Sequence, residues 1–265
     1  MRAPRMLLLA LCALVVVVAA CSGGGGSDGS SSTRGTAASV PFERTNWVLT
    51  DRSDLGTPLG DVAVTARFVG ATMSGSSGCN TYTAPIARDD PKVEITGPVA
   101  VTQLACTNPA GAVEQAYLKV LPDVRTYAVQ GAQLTLRDLA GKALLVYRAG
   151  GADDIVGDWV VTSLYTGTAI QSVGPGTTMT ARFTKDSVSG DTGCNAYGGT
   201  ADIGRTTIRI TDVTSTQRFC AEEGGGASES DYLRALGLAR TYEVNGNRLT
   251  LFRQGGTIAA SFERA

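Results

Sequence analysis

The sequence predicts a mainly β protein of the α+β class, built from two tandem, small, barrel-like domains of one design with one helix per domain. Three observations point there. Much of the chain falls into short runs that alternate apolar and polar residues and are rich in β-branched types. These runs recur in the same order about halfway along, at a nearly constant spacing. Each half also contains one stretch with the spacing of an amphipathic helix.

The chain has 265 residues. Arg2 and Arg5 precede an unbroken apolar run over residues 6–20, too short for a comfortable membrane span but suited to a signal peptide over residues 1–20. The run ends in Val18-Ala19-Ala20-Cys21, which resembles a bacterial lipobox; an ordinary signal peptide with a chance cysteine is the alternative. The expectation is that Cys21 is lipidated, palmitate among its acyl chains, since two chains are needed for stable anchoring. That places the protein outside the cytoplasm, anchored to the bacterial cell membrane. Residues 22–41 are rich in Ser, Gly, Thr and Ala and cannot bury enough apolar surface to order themselves, so they read as a flexible tether.

The repeat sets the domains. "TARF" at 65–68 returns at 180–183, and "SGSSGCNTY" at 74–82 returns as "SGDTGCNAY" at 189–197. Thr102, Gln103 and Cys106 match Thr216, Gln217 and Cys220. Tyr117-Leu118 matches Tyr232-Leu233, Thr126-Tyr127 matches Thr241-Tyr242, and Leu134-Thr135-Leu136 matches Leu249-Thr250-Leu251. Trp47 and Trp159 open the copies. Copy 1 therefore spans residues 42–149, a linker 150–155, and copy 2 residues 156–265.

Within each copy the elements follow in order. "WVLT" (47–50) and "WVVTSLY" (159–165) start as strands, followed by "VAVTARFV" (62–69) and "TMTARFT" (178–184), then "KVEIT" (92–96) and "TIRIT" (207–211). A helix is expected over residues 112–121, with Val113, Tyr117, Val120 and Leu121 on one face and Pro122 ending it; its counterpart covers 228–236. "TYEVNGNRLTLF" (241–252) reads as a hairpin around Asn245-Gly246, and "TYAVQGAQLTLR" (126–137) as a weaker version around Gln130-Gly131.

A tryptophan, a strand with phenylalanine, Ser-Gly-x-x-Gly-Cys-Asn-x-Tyr, Thr-x-x-x-Cys, a helix and a closing Leu-x-Leu hairpin together resemble the META domain, as in HslJ-like heat-shock lipoproteins. The resemblance covers both copies. It implies compact β-barrel-type domains with a helix, found in bacterial envelope and secreted proteins and linked to stress responses, and it supplies no active site. One departure is Arg218-Phe219, where copy 1 has Leu104-Ala105.

Four cysteines remain beyond Cys12 and Cys21, an even number that favours disulfides in an exported chain. Three pairings exist. If each copy folds as its own unit, the pairs are Cys79 with Cys106 and Cys194 with Cys220; reduced buried cysteines are the alternative.

The chain has no histidine, which removes His-assisted nucleophiles and His-ligated metals. Its net charge of −1, with no basic stripe, argues against a nucleic-acid partner. No metal or cofactor is expected. Ser76 and Ser77 become Asp191 and Thr192 in copy 2, and no Ser-x-x-Lys occurs. Asp89-Asp90, Asp153-Asp154 and Glu222-Glu223 read as solvated surface, and the one matched acid, Glu114 with Glu229, as a helix N-terminal charge favoured by the macrodipole. Matched polar residues remain as a candidate binding face: Arg67, Asn80, Tyr82 and Gln103 in copy 1, Arg182, Asn195, Tyr197 and Gln217 in copy 2. The expected role is non-enzymatic, binding or stabilising an envelope protein or small molecule. The alternatives are a carboxylate-based hydrolase with its site in one copy, and a carrier of a small apolar ligand in a barrel cavity.

Overall fold

The computed structural model describes residues 38–174, 176–219 and 228–265. The signal peptide, Cys21, most of the tether, Cys220 and Glu222-Glu223 lie outside the described residues.

Copy 1 begins with β1 (Trp47–Leu49), β2 (Thr65–Val69), β3 (Thr72–Ser76) and β4 (Thr81–Asp89). It continues through β5 (Lys92–Ile95) and β6 (Ala100–Val101) to α1 (Ala110–Val120). Three strands complete it: β7 (Thr126–Gln130), β8 (Gln133–Arg137) and β9 (Ala143–Ala149). Copy 2 has β10 (Gly157–Tyr165), β11 (Ile170–Ser172), β12 (Thr180–Phe183), β13 (Ser187–Asp191), β14 (Ala196–Ile203) and β15 (Ile208–Ser215). Then come α2 (Glu229–Leu238), β16 (Ala239–Asn245), β17 (Arg248–Arg253) and β18 (Ile258–Arg264). Among the described residues no helix is long and apolar enough to cross a membrane.

Both sheets are antiparallel and half-barrel-like. The first runs β3-β2-β1-β9-β8-β7-β5-β4-β6, and β3 also pairs β4, so the path returns on itself. The second runs β15-β14-β13-β12-β10-β18-β17-β16, with β11 on β10. One residue pair bridges each sheet at the same place in the repeat: Lys92 opposite Thr126, and Thr207 opposite Thr241.

Two turns differ from the sequence expectation. In the hairpins the last paired residues are Asn245 with Arg248 and Gln130 with Gln133, so the loops are Gly246-Asn247 and Gly131-Ala132. Gly246 and Gly131 sit at φ +63° and +58°, and the residues after them keep negative φ. Glycine at the first central position is the requirement of a type II′ turn. Asn245 and Gln130 are strand residues, so the two hairpins are equivalent. Helix α1 starts two residues earlier than expected and tightens into a 3₁₀ turn over Leu121–Asp123 that holds Pro122. Ser228 caps α2, its Oγ accepting from Asp231 N at 3.2 Å.

Each half-barrel is filled by side chains. Trp47, Phe68, Met73, Tyr82, Tyr117 and Tyr147 are fully or almost fully buried in copy 1, as are Trp159, Phe183, Tyr197, Tyr232 and Phe262 in copy 2. Both indoles donate to a backbone carbonyl just upstream, Trp47 to Phe42 O at 2.9 Å and Trp159 to Ile155 O at 2.7 Å. Under the strands runs a line of hydroxyls: Tyr82 meets Tyr117 at 2.7 Å, and Tyr117 meets Tyr147 at 3.0 Å. Copy 2 repeats the first contact as Tyr197 with Tyr232 at 2.7 Å, and has Phe262 where copy 1 has Tyr147. Gly75 and Gly190 lie where β3 and β13 cross closest to their neighbours; a Cβ there would collide with the carbonyls of Thr65 and Thr180.

The two sheets belong to one compact unit. The β16–β17 turn lies against β2 and β3, with Arg67 ion-paired to Glu243, Thr65 Oγ1 donating to Asn245 Oδ1, and Asn46 Nδ2 donating to Val244 O. The linker makes a 3₁₀ turn over Ala152–Asp154, held by the Arg148–Asp154 ion pair and by Arg264 donating to Asp154 O at 3.0 Å.

Two stability measurements follow from this packing. Gly75→Ala forces a backbone collision in a filled sheet and is expected to cost about 1–3 kcal/mol. Tyr147→Phe removes one hydroxyl at a position that copy 2 fills with Phe262, and is expected to cost less than about 1 kcal/mol. Urea denaturation of both variants checks the order; a Tyr147→Phe loss larger than that of Gly75→Ala contradicts it.

Candidate functional site

The residues the repeat shares converge on one feature per copy, a clamp that ties the β3–β4 loop to the start of the helix and to the segment before the second cysteine. Cys79 and Cys106 are joined by a disulfide that closes 27 residues. Cys194 is also disulfide-bonded, and Cys220, its counterpart by the repeat, lies outside the described residues.

Asn80 is the centre of the first clamp. Its Oδ1 accepts from Thr102 Oγ1 and Leu104 N, both at 2.8 Å. Its Nδ2 donates to Glu114 Oε1 at 3.0 Å and reaches Cys106 Sγ at 3.1 Å. Asn195 repeats the pattern, accepting from Thr216 Oγ1 at 2.7 Å and Arg218 N at 2.8 Å and donating to Glu229 at 2.8 Å. Tyr82 and Tyr197, two residues on, donate to Thr65 O and Thr180 O at 3.1 and 3.0 Å. Burial removes solvent from all these phenols and pushes them well above the usual tyrosine range.

Glu114 has a different role from the one its position suggests. Helix α1 starts at Ala110, so Glu114 lies in the second turn, and its carboxylate faces the loop rather than the helix end. It accepts from Ser77 Oγ at 2.5 Å and from Asn80 N at 2.9 Å. Burial pushes this carboxyl up, but the bonds from Ser77 and Asn80 together outweigh it and hold Glu114 below the ordinary glutamate value.

The paired serines also have counterparts in copy 2. Ser76 Oγ accepts from Gly78 N at 3.2 Å, and Asp191 Oδ1 accepts from Gly193 N at 2.7 Å. The Ser77 hydroxyl, shared with Glu114, lies 2.8 Å from Asn80 O, and Thr192 Oγ1 donates to Asn195 O at 3.0 Å. What changed between copies is the residue name; the hydrogen bond stayed.

Of the candidate binding face, Asn80 and Gln103 line one cleft, and the other residues are placed separately. Asn80, Tyr82, Asn195 and Tyr197 are buried because their polar atoms hold the fold together. Arg67 is at the contact between copies, Arg182 is exposed beside Asp158 at 3.7 Å, and Gln103 and Gln217 are exposed on the segments before the second cysteines. Among the described residues large side chains occupy both interiors, where the apolar carrier would need a cavity. The described clefts are peripheral. One of about 250 Å³ lies between the copies, lined by Glu43, Arg44, Asn46, Asp154, Arg205 and Tyr242 among others. Another, of about 440 Å³, runs beside the first clamp and is lined by Asn80, Gln103, Leu104, Glu114 and Leu118 among others. Of the described acidic pairs, Asp90 is engaged by Arg88 and Tyr127, Asp154 by Arg148, and Asp153 by Lys185.

The META domain family model matches the chain twice, over residues 40–151 and 153–265, and the chain belongs to that family. No curated protein matches it. Two solved structures are similar. One is an NMR structure of a protein from Burkholderia xenovorans, 21% identical, covering 43% of this chain and 86% of that one, with a TM-score of 0.37. The other is also an NMR structure, 22% identical, covering 41% of this chain and 94% of that one, with a TM-score of 0.33.

The clamp generates two expectations. Because Glu114 is held below its unfolded pKa, its ionised form contributes stability in full above that value, and the contribution is lost as pH falls through the folded one. Melting temperature should therefore hold from neutrality to about pH 5 and fall below it. Glu114→Gln should start lower at neutral pH and lose less on acidification; parallel melting curves across pH would count against the assignment. Cys79→Ser opens a loop of 27 residues. On the chain-entropy model it should cost about 3–4 kcal/mol, measurable by urea denaturation beside a reduced wild-type control.

Proposed function

We propose that this protein is a lipid-anchored component of the bacterial envelope whose two META domains act together as a non-catalytic module that binds or stabilises another envelope component. One observation carries the reading. The polar residues common to both copies, which would have to form any shared catalytic or ligand site, are mostly engaged in holding each domain together. Support for the anchor comes from the Val18-Ala19-Ala20-Cys21 sequence and the tether-like composition after it. Family membership supports an envelope-related role.

Expressed as the full chain in a bacterial host fed labelled palmitate, the protein is expected in the membrane fraction with label attached. Cys21→Ser should lose both. An unlabelled wild type in the soluble fraction rejects the anchor. Crosslinking in intact cells followed by mass spectrometry tests the binding role, and a turnover on a hydrolase substrate panel that a single polar substitution abolishes rejects the non-catalytic reading.

A further inference from the structure

The contact between the copies uses a corner that the fold presents twice. In copy 1 the corner is made by Asn46, Thr65, Arg67 and Ser76, and it holds the turn that begins at Glu243 and ends at Gly246. Strand registers give the equivalent corner in copy 2. Trp47 lies opposite Ala66 and Trp159 opposite Ala181, so Asn46 and Arg67 correspond to Asp158 and Arg182. Ser76 N donates to Thr65 Oγ1 and Asp191 N to Thr180 Oγ1, each at 3.0 Å. This second corner is open: the Arg182 side chain is 69% exposed against 36% for Arg67. A contact between unlike faces of like units is heterologous, and its geometry alone does not stop it from propagating between molecules.

The chemistry of the second corner differs at the positions that touch the turn. Asn46 donates to Val244 O, whereas Asp158 has no donor to offer. Ser76 sits against Gly246, so close that a Cβ on the glycine would lie 2.7 Å from its Oγ, and Asp191 takes that place in copy 2. Where copy 1 has one cation facing an incoming glutamate, the copy 2 corner has one cation already beside Asp158, and carries a second carboxylate, Asp191. The matching turn of copy 1 is altered as well. Ala128 stands where copy 2 has Glu243, and Gln130 where it has Asn245. The turn is also covered, Val40 N donating to Gly131 O at 2.9 Å and Gly131 N to Ser39 Oγ at 3.0 Å.

We propose that Asp158 and Asp191 close the copy 2 corner to the turn of a second copy of this chain, while Ala128 and the Ser39-Val40 strap blunt that turn. The array of docked domains therefore stops at two. Docking a glutamate turn on this corner would bury like charges together, and docking the existing turn, which brings no cation, would desolvate Asp158 and Asp191 with only Arg182 and the Gly193 N–H beside them.

Sedimentation velocity on the full chain, carrying Cys21→Ser to remove the proposed anchor, tests this. The parent is expected as one species at all concentrations. Adding Val40→Pro, Ala128→Glu, Asp158→Asn and Asp191→Ser should give species that grow with concentration, and adding Arg182→Glu to that set should restore a single one. In case the combined variant folds poorly, the two halves go into separate chains. Val40→Pro with Ala128→Glu in one, and Asp158→Asn with Asp191→Ser in the other, should form a heterodimer on mixing while neither associates alone. Folded variants that stay single and unmixed overturn the proposal, as does a parent that already associates and is dispersed by Arg182→Glu.

Discussion

Every polar atom of the Asn80 side chain is bonded inside the protein, to Thr102, to the backbone of Leu104, to Glu114 and to the disulfide sulfur of Cys106. Leaving a buried amide atom unmatched costs about 1–3 kcal/mol, so the four groups around it must arrive together. The consequences spread outward. The Leu104 contact sets the path of the chain into Cys106, and so the closure of the loop from Cys79. The Glu114 contact fixes the roll of α1, which brings Tyr117 under Tyr82, and Tyr82 in turn reaches across to Thr65 O. One asparagine thereby links loop, disulfide, helix and sheet, and Asn195 does the same in copy 2.

Much of this was legible in the residues. The repeat located Asn80, Tyr82, Cys79 and their counterparts as a set, because both copies need them at fixed spacing. Strand alternation located the sheets, and glycine located both hairpin turns, although the register was off by one. What pattern reading weighed as the turn signal was Asn245 or Gln130, yet the physical requirement was the positive φ of Gly246 and Gly131. The role of Glu114 was not legible, since its partners lie 34 and 37 residues away and nothing in the spacing marks them. Ser76 and Ser77 misled for another reason. Asp191 and Thr192 differ from them in type but present an acceptor and a hydroxyl at the same places, so comparing letters understated what the copies share.

The contact between the copies was invisible for a related reason. Arg67 and Glu243 are 176 residues apart, and only Arg67 has a like counterpart in the other copy. A repeat alignment draws attention to positions that match. Glu243, Asn245 and Asn46 do not match, because the docking is one-directional and each copy plays only one part in it. Matched positions thus report how a domain folds, and mismatched ones where the two domains differ in what they touch.

The same division runs through the clamp itself. Asn80 and Asn195 hold the chain at residues 104 and 218 only through backbone atoms. The side chains there are free to differ, and they do: Leu104-Ala105 in copy 1, Arg218-Phe219 in copy 2. Leu104 and Phe219 are both strongly exposed, at 66% and 98%. A rigid backbone mount whose side chains differ, Arg218 reaching back to Cys194 O, is how loops on fixed scaffolds acquire separate contacts without disturbing the fold. A partner that met both copies would therefore meet two surfaces of unlike chemistry, one aliphatic and one aromatic beside a cation. Duplication here multiplied the mount and let what it presents diverge.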